Sequence, residues 1–139
     1  MHTQILGWDL SNGCISACPH KLLPLIKRDP PETVTLLRSY IGAYKVFNHV
    51  VRGCASYLND LEKFIAGKAK ADRLVWTDLL SECFRASQKA LSTATTTTLL
   101  RHSDQLVIVH DGSQSGIGSV LYLKRNDVIR LGSFFSAKL

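Results

Sequence analysis

Between Glu32 and about Val51, apolar residues return every three or four positions. Val34, Leu37, Ile41, Tyr44 and Phe47 therefore share one side of a helix, and Thr33 stands where an N-cap belongs. Arg52-Gly53 reads as the stop of that helix. A shorter pattern, Leu58, Leu61, Phe64 and Ile65, predicts a second helix over Tyr57 to Ile65. Trp76-Thr77-Asp78 opens a third, with Thr77 as cap and Leu80, Cys83, Phe84 and Leu91 as the buried face. Upstream, Leu22, Leu23, Leu25 and Ile26 suit a turn or two of helix, limited by Pro24. Asp29-Pro30-Pro31 is a firm break, because a residue before proline is pushed out of the α region.

The two ends of the chain read as strands. Ile5 to Leu10 and Cys14 to Ala17 flank Asn12-Gly13, a hairpin signal. Thr95 to Thr98 is a β-branched run suited to an extended linker. Leu106 to Val109 predicts a buried strand, and Asp111 to Gly116 a turn. Ile117 to Lys124 predicts a second strand, Asn126-Asp127 a tight turn, and Val128 to Phe135 a third strand. The expected class is α+β. It divides into a hairpin over 1–17, a helical body over 18–94, a linker over 95–104 and an antiparallel meander over 105–139. Such a meander leaves one apolar face uncovered, so it is expected to be the opening part of a larger sheet domain.

Composition narrows the picture modestly. The chain has 139 residues, 45% of them hydrophobic and 20% charged, which suits a packed core. No apolar run approaches the roughly 18 residues of a membrane span, and no secretory leader is visible. Cys14, Cys18, Cys54 and Cys83 are scattered, so free thiols and an intracellular setting are expected. A net charge of +6 leans toward anionic partners without specifying one.

Three places could carry chemistry. Asp111 ends an apolar strand beside Gly112-Ser113, where a carboxylate can hold a hard cation. On the residues alone, an acid that caps its own turn is the simpler reading. Gly42 lies mid-helix, where glycine costs about 1 kcal/mol relative to alanine. Arg38, Gly42 and Val46 form one stripe, extended by Lys45, Asn48 and Arg52. Either another helix packs closely there, or a nucleic-acid duplex approaches and Arg38 reaches its phosphates. Cys14, Cys18 and His20 lack the spacing of a zinc knuckle, and Cys83 belongs with the core. Lys68, Lys70 and Asp127 read as solvated loop and turn charges, and Gly116-Ile117-Gly118 as a strand entry.

The order of motifs resembles a known family. Leu6-Gly7, Pro19-x-Lys21, Pro31-x-Thr33-Val34, Leu37-Arg38-Ser39-Tyr40-Ile41-Gly42, Trp76-Thr77, Phe84 and Leu91 resemble the end of the polymerase in reverse transcriptases. The gypsy class of long-terminal-repeat retrotransposons is the nearest group. Ile108 to Ser113, Gly116 to Leu121 and Phe134 to Leu139 resemble the opening strands of that family's RNase H domain, with His110 in place of the more usual threonine. The resemblance implies a palm-end hairpin, a thumb that holds template–primer duplex, and the start of a nuclease acting on RNA–DNA hybrids. It implies nucleic-acid contacts at Arg38, Gly42, Lys45 and Val46. It also makes Asp111 the first of four acidic residues that together hold two Mg2+ ions. Neither the other three nor a Tyr-x-Asp-Asp polymerase motif is present in this sequence. The chain is thus expected to be an inactive fragment of a Pol polyprotein, with the remaining Pol segments and an RNA–DNA hybrid or DNA duplex as partners and no membrane. Two alternatives are a non-catalytic connection subdomain and a domesticated nucleic-acid-binding module.

Overall fold

Each of the tight hairpins turns through two residues in the left-handed region. The computed structural model describes residues 2–138. Strand β1 (His2–Ile5) meets β2 (Trp8–Ser11) across Leu6-Gly7, with φ of +50° and +86°. Strand β2 meets β3 (Cys14–Ala17) across Asn12-Gly13, with φ of +53° and +74°. Paired positive φ values match the right-handed twist of the flanking strands, so such loops close hairpins without splaying them. The expected hairpin is present, and β1 is an addition to it. Its turn begins with Leu6, an exposed leucine with none of the chemistry that announces a turn.

The helical body follows. Helix α1 (Pro19–Ile26) starts on a proline, whose missing N–H is an orphan donor there anyway. It runs on through Pro24 despite the limit that residue was expected to set. Helix α2 (Val34–Lys45) begins as expected, with Thr33 Oγ1 accepting the Leu36 N–H at 3.3 Å. It stops at Lys45, earlier than its apolar pattern predicts. Residues 46–52 fold into tighter turns, in which the Phe47 N–H donates to Tyr44 and the Val50 N–H to Phe47. Val46, Asn48, Val50 and Val51 are poor helix formers, while Phe47, Val50 and Val51 still reach the core. Gly53, at φ +70°, redirects the chain into α3 (Cys54–Glu62), which starts before the expected Tyr57. Helix α4 (Asp78–Leu91) begins at its expected cap, with Thr77 Oγ1 accepting the Leu80 N–H at 3.2 Å.

The core lies among these helices. Tyr40, Tyr44, Phe84, Leu37 and Leu61 are its largest fully or nearly fully covered side chains. Ser87, a polar residue on the buried side of α4, serves two of them. Its Oγ pairs with the Tyr40 hydroxyl at 2.8 Å, and its carbonyl accepts from the Tyr44 hydroxyl at 2.8 Å. Burial pushes the Tyr40 hydroxyl up to about 12 and Tyr44 higher still, so both stay neutral donors. Cys83 packs against this core as expected, at its margin and half-buried.

Strand β4 (Thr97–Thr98) lies within the stretch expected to be a linker. It pairs with β3 through Cys14↔Thr98 and Ile15↔Thr97, completing a four-stranded antiparallel sheet. The meander is β5 (Gln105–Gly112), β6 (Gly116–Arg125) and β7 (Val128–Lys138), in that spatial order. Asn126-Asp127 turns with φ of +51° and +62°, and Asp127 is solvated as expected. Leu106 to Val109 do form a strand, but an exposed one. Strand β5 is the free edge of the sheet, and each of those side chains is at least 36% exposed. The sheet docks through β7. The Ala55 N–H donates to Ser136 Oγ at 2.8 Å, and the Phe134 N–H donates to the His49 carbonyl at 3.0 Å.

A bidentate ion pair latches the connecting segment. Arg125 Nε and a terminal guanidinium nitrogen donate to Asp104 at 2.7 and 2.6 Å, and the guanidinium also reaches the Leu99 carbonyl at 3.2 Å. The Asp104 side chain is fully covered by these partners, yet it lies at the surface, so loss of water costs it less than the arginine returns. Its carboxyl is held down to about 2, first by the Arg125 hydrogen bonds and then, against desolvation, by the Arg101 N–H. A carboxyl depressed by folding stabilises above its ordinary pKa near 4 and loses that contribution as pH falls through the folded value. The latch is therefore expected to hold at neutral pH and to release between about pH 4 and 2. In acid titrations of the thermal transition, Asp104→Asn should flatten the fall in that window; an unchanged profile would remove Asp104 as its cause.

Candidate nucleic-acid interface

Helix α2 turns Val34, Leu37, Tyr40, Ile41 and Tyr44 to the core. Its opposite side carries Arg38, Gly42 and Val46, all exposed. A Cβ built on Gly42 would meet nothing within 4 Å. No described residue packs against the glycine, and its backbone is open to an outside partner. Arg38 and Val46 stand one turn to either side. Lys45 is on the edge of this surface and reaches Glu62 of α3 at 3.5 Å, so its charge is partly engaged. Three of the four expected contact residues thus share one open surface, and the fourth borders it.

A groove runs along the Val46 end of that surface. It measures about 430 Å³ and lies between the β1–β2 turn, α1 and α2. Leu6, Gly7 and Trp8 form one wall, Lys21 and Arg28 supply cations, and Val46 and Phe47 the other wall. A Cβ on Gly7 would come within 2.9 Å of Lys21 Cγ, so the glycine lets the lysine stem lie against the turn. Sequence spacing did not join these residues, because the hairpin and the helices are distant along the chain. The Leu6-Gly7 and Pro19-x-Lys21 motifs were the available signal. Trp8 is held by His49, with ring centroids 4.6 Å apart, and by Phe47 at 5.8 Å. Burial lowers the His49 pKa, which favours the neutral ring in this stack.

Asp111 lies apart from α2. It is paired with Gly118 inside the β5–β6 ladder, so the turn is confined to residues 113–115. Its side chain borders a cleft of about 300 Å³ shared with Asp60, Lys63 and Ser113. Among the described residues, no three His, Cys, Asp or Glu side chains converge as a metal site. A site holding two divalent ions needs several converging oxygens, and Asp111 and Asp60 each contribute one carboxylate to the lining of this cleft. Lys68 and Lys70 are exposed beyond α3, as expected. No described helix is long and apolar enough to cross a membrane.

Neither a protein-family model nor a curated protein matches the sequence. The fold does match solved structures. It superposes on the foamy viral protease-reverse transcriptase dRH in complex with double-stranded DNA with a TM-score of 0.84 and 16% identity, covering 99% of this chain and 24% of the other. The foamy viral protease-reverse transcriptase bound to double-stranded DNA gives 0.83 at 16% identity, covering 99% of this chain and 28% of that one. The same protein with an RNA/DNA hybrid also gives 0.83 at 16%, covering 99% and 18%. The chain has the fold of a reverse-transcriptase segment. It spans less than a third of the length of these solved chains.

Proposed function

We propose that this chain is the part of a retroelement reverse transcriptase that holds the template–primer duplex. Its proposed partners are a DNA duplex or RNA–DNA hybrid and the remaining segments of a Pol polyprotein. The observation that carries this reading is the open backbone of Gly42, mid-helix and with no packing role, between exposed Arg38 and Val46. A glycine that costs helix stability and packs against nothing inside is suited to close approach from outside. The solved structures with this fold contain double-stranded DNA or an RNA/DNA hybrid, which supports the same class of ligand. The sequence motifs point to the gypsy class as the parent.

The contacts available are to phosphate and groove surface, so binding should be sequence-blind and salt-sensitive. Each phosphate neutralised contributes a log–log salt slope of about −0.9 on B-DNA. In anisotropy titrations of a labelled duplex against salt, Arg38→Glu should weaken binding more than Lys68→Glu. Equal losses from both would leave only diffuse charge and would defeat the reading.

For the meander, the docking of β7 on α3 suits both the start of the nuclease and a spacer between thumb and nuclease. The two readings separate in a chain extended by further Pol sequence, where the nuclease reading expects magnesium-dependent cutting of an RNA–DNA hybrid that Asp111→Asn abolishes. An extended chain that is stable yet leaves the hybrid uncut with Asp111 intact would decide for the spacer.

A further inference from the structure

A second concave site adjoins the first groove at Arg28 and opens where the end of α1 meets α4. Helix α4 packs on the core side of α2, through Ser87 against Tyr40 and Tyr44. Where α4 meets the end of α1 and the Asp29-Pro30-Pro31 break, a notch of about 190 Å³ is lined by Lys27, Arg28, Arg85 and the ring of Trp76. Its frame is fixed from two directions. The Gln88 side-chain amide donates to the Leu25 and Arg28 carbonyls at 3.1 and 2.8 Å, which holds the end of α1 against α4. The Trp76 indole N–H donates to the Pro31 carbonyl at 2.8 Å, and its ring packs edge-on against Phe84 at 5.6 Å. None of Lys27, Arg28 and Arg85 pairs with a carboxylate among the described residues, and Asp29 is the only acid in the lining.

We infer that this notch binds single-stranded nucleic acid, with phosphate on Lys27 and Arg85 and a base against Trp76. Unpaired cations beside an aromatic ring match the two surfaces of a nucleotide, its charged backbone and its planar base. Size selects the single strand. The notch is smaller than the roughly 300–1,000 Å³ of a drug-sized pocket, so it admits a single base with its phosphate at the rim and not a stacked duplex. A base must be unstacked to enter, and only a flexible strand offers one at low cost. The frame is already held by Gln88 and by the Trp76–Pro31 bond, so little ordering is needed on binding. Arg28 borders both this notch and the groove beside α2, whereas Lys27, Arg85 and Trp76 line the notch alone, so substitutions at Lys27 and Arg85 separate the two sites.

The test compares two ligands on the full chain. Fluorescence anisotropy is measured with an oligo(dT) of about 12 nucleotides and with a blunt duplex. The double variant Lys27→Ala, Arg85→Ala should lose roughly tenfold or more in single-strand affinity and less than about twofold in duplex affinity. Retained duplex binding and an unchanged thermal transition show that the variant is folded. In a Trp8→Phe background, where Trp76 is the one tryptophan, the oligonucleotide should quench its fluorescence. Equal losses on both ligands, no single-strand loss, or an unquenched Trp76 would each overturn the inference. So would competition by poly-glutamate as strong as that by the oligonucleotide, since a cationic patch without a base site behaves that way.

Discussion

Gly42→Leu is expected to make the protein more stable and a worse duplex binder. The position is exposed and a Cβ there meets nothing within 4 Å, so the side chain enters open space. Replacing a helical glycine with a good helix former contributes about 0.5–1 kcal/mol, which raises the thermal midpoint by roughly 2–4 °C for a chain of this size. The same side chain stands between Arg38 and Val46 and projects toward the ligand. It would hold the duplex away from the helix backbone and from the Arg38 guanidinium. A loss of roughly tenfold or more in duplex affinity is expected, with Gly42→Ala in between. Stability and binding then move in opposite directions, an outcome that simple damage to the fold cannot produce. Thermal melting and anisotropy on the same preparation make the comparison. A stabilised variant with unchanged duplex affinity would move the interface off α2.

Phe84→Ala should be the most damaging single truncation in the helical body. Phe84 is 2% exposed, with Tyr40 at 4.9 Å and Trp76 at 5.6 Å between ring centroids. It joins α4 to α2 and to the segment before α4. Removing a buried phenylalanine costs about 3–5 kcal/mol, through lost transfer energy and the cavity left behind. Domains of ordinary stability have about 5–15 kcal/mol in total, so much of the folding free energy would go. With a urea m-value of about 1–3 kcal/mol/M, the midpoint should fall by roughly 1–5 M. Ser87→Ala should cost less, about 1–3 kcal/mol, by leaving the buried Tyr40 hydroxyl without its side-chain partner. A Phe84→Ala loss below about 1 kcal/mol would mean that the core collapses easily around the gap, against the packing seen.

Local chemistry was the legible part. Thr33 and Thr77 were readable as caps because a hydroxyl before an apolar period has one favourable use, accepting a first-turn N–H. Asn12-Gly13 and Asn126-Asp127 were readable as turns because they tolerate positive φ. Strand β1 escaped notice because Leu6 adopts the left-handed region without a residue type that signals it. The end of α2 was misplaced because Phe47 keeps the helical spacing and reaches the core from a turn outside the helix. The spacing of apolar residues reports burial, and only the backbone hydrogen bonds report which helix delivers it.

The sequence by itself determined the α+β class, the core face of α2 and the presence of Arg38, Gly42 and Val46 on one stripe, since helical geometry follows from spacing. It left open what that stripe faces. The tertiary structure decided this by placing α4 on the opposite side, bonded through Ser87 to Tyr40 and Tyr44, and leaving nothing near Gly42. It also decided that Leu106 to Val109, apolar enough for a buried strand, form an exposed edge. Apolar composition states that a residue gains by burial. Whether anything covers it depends on which elements arrive beside it, and that is set by contacts between residues far apart in the chain.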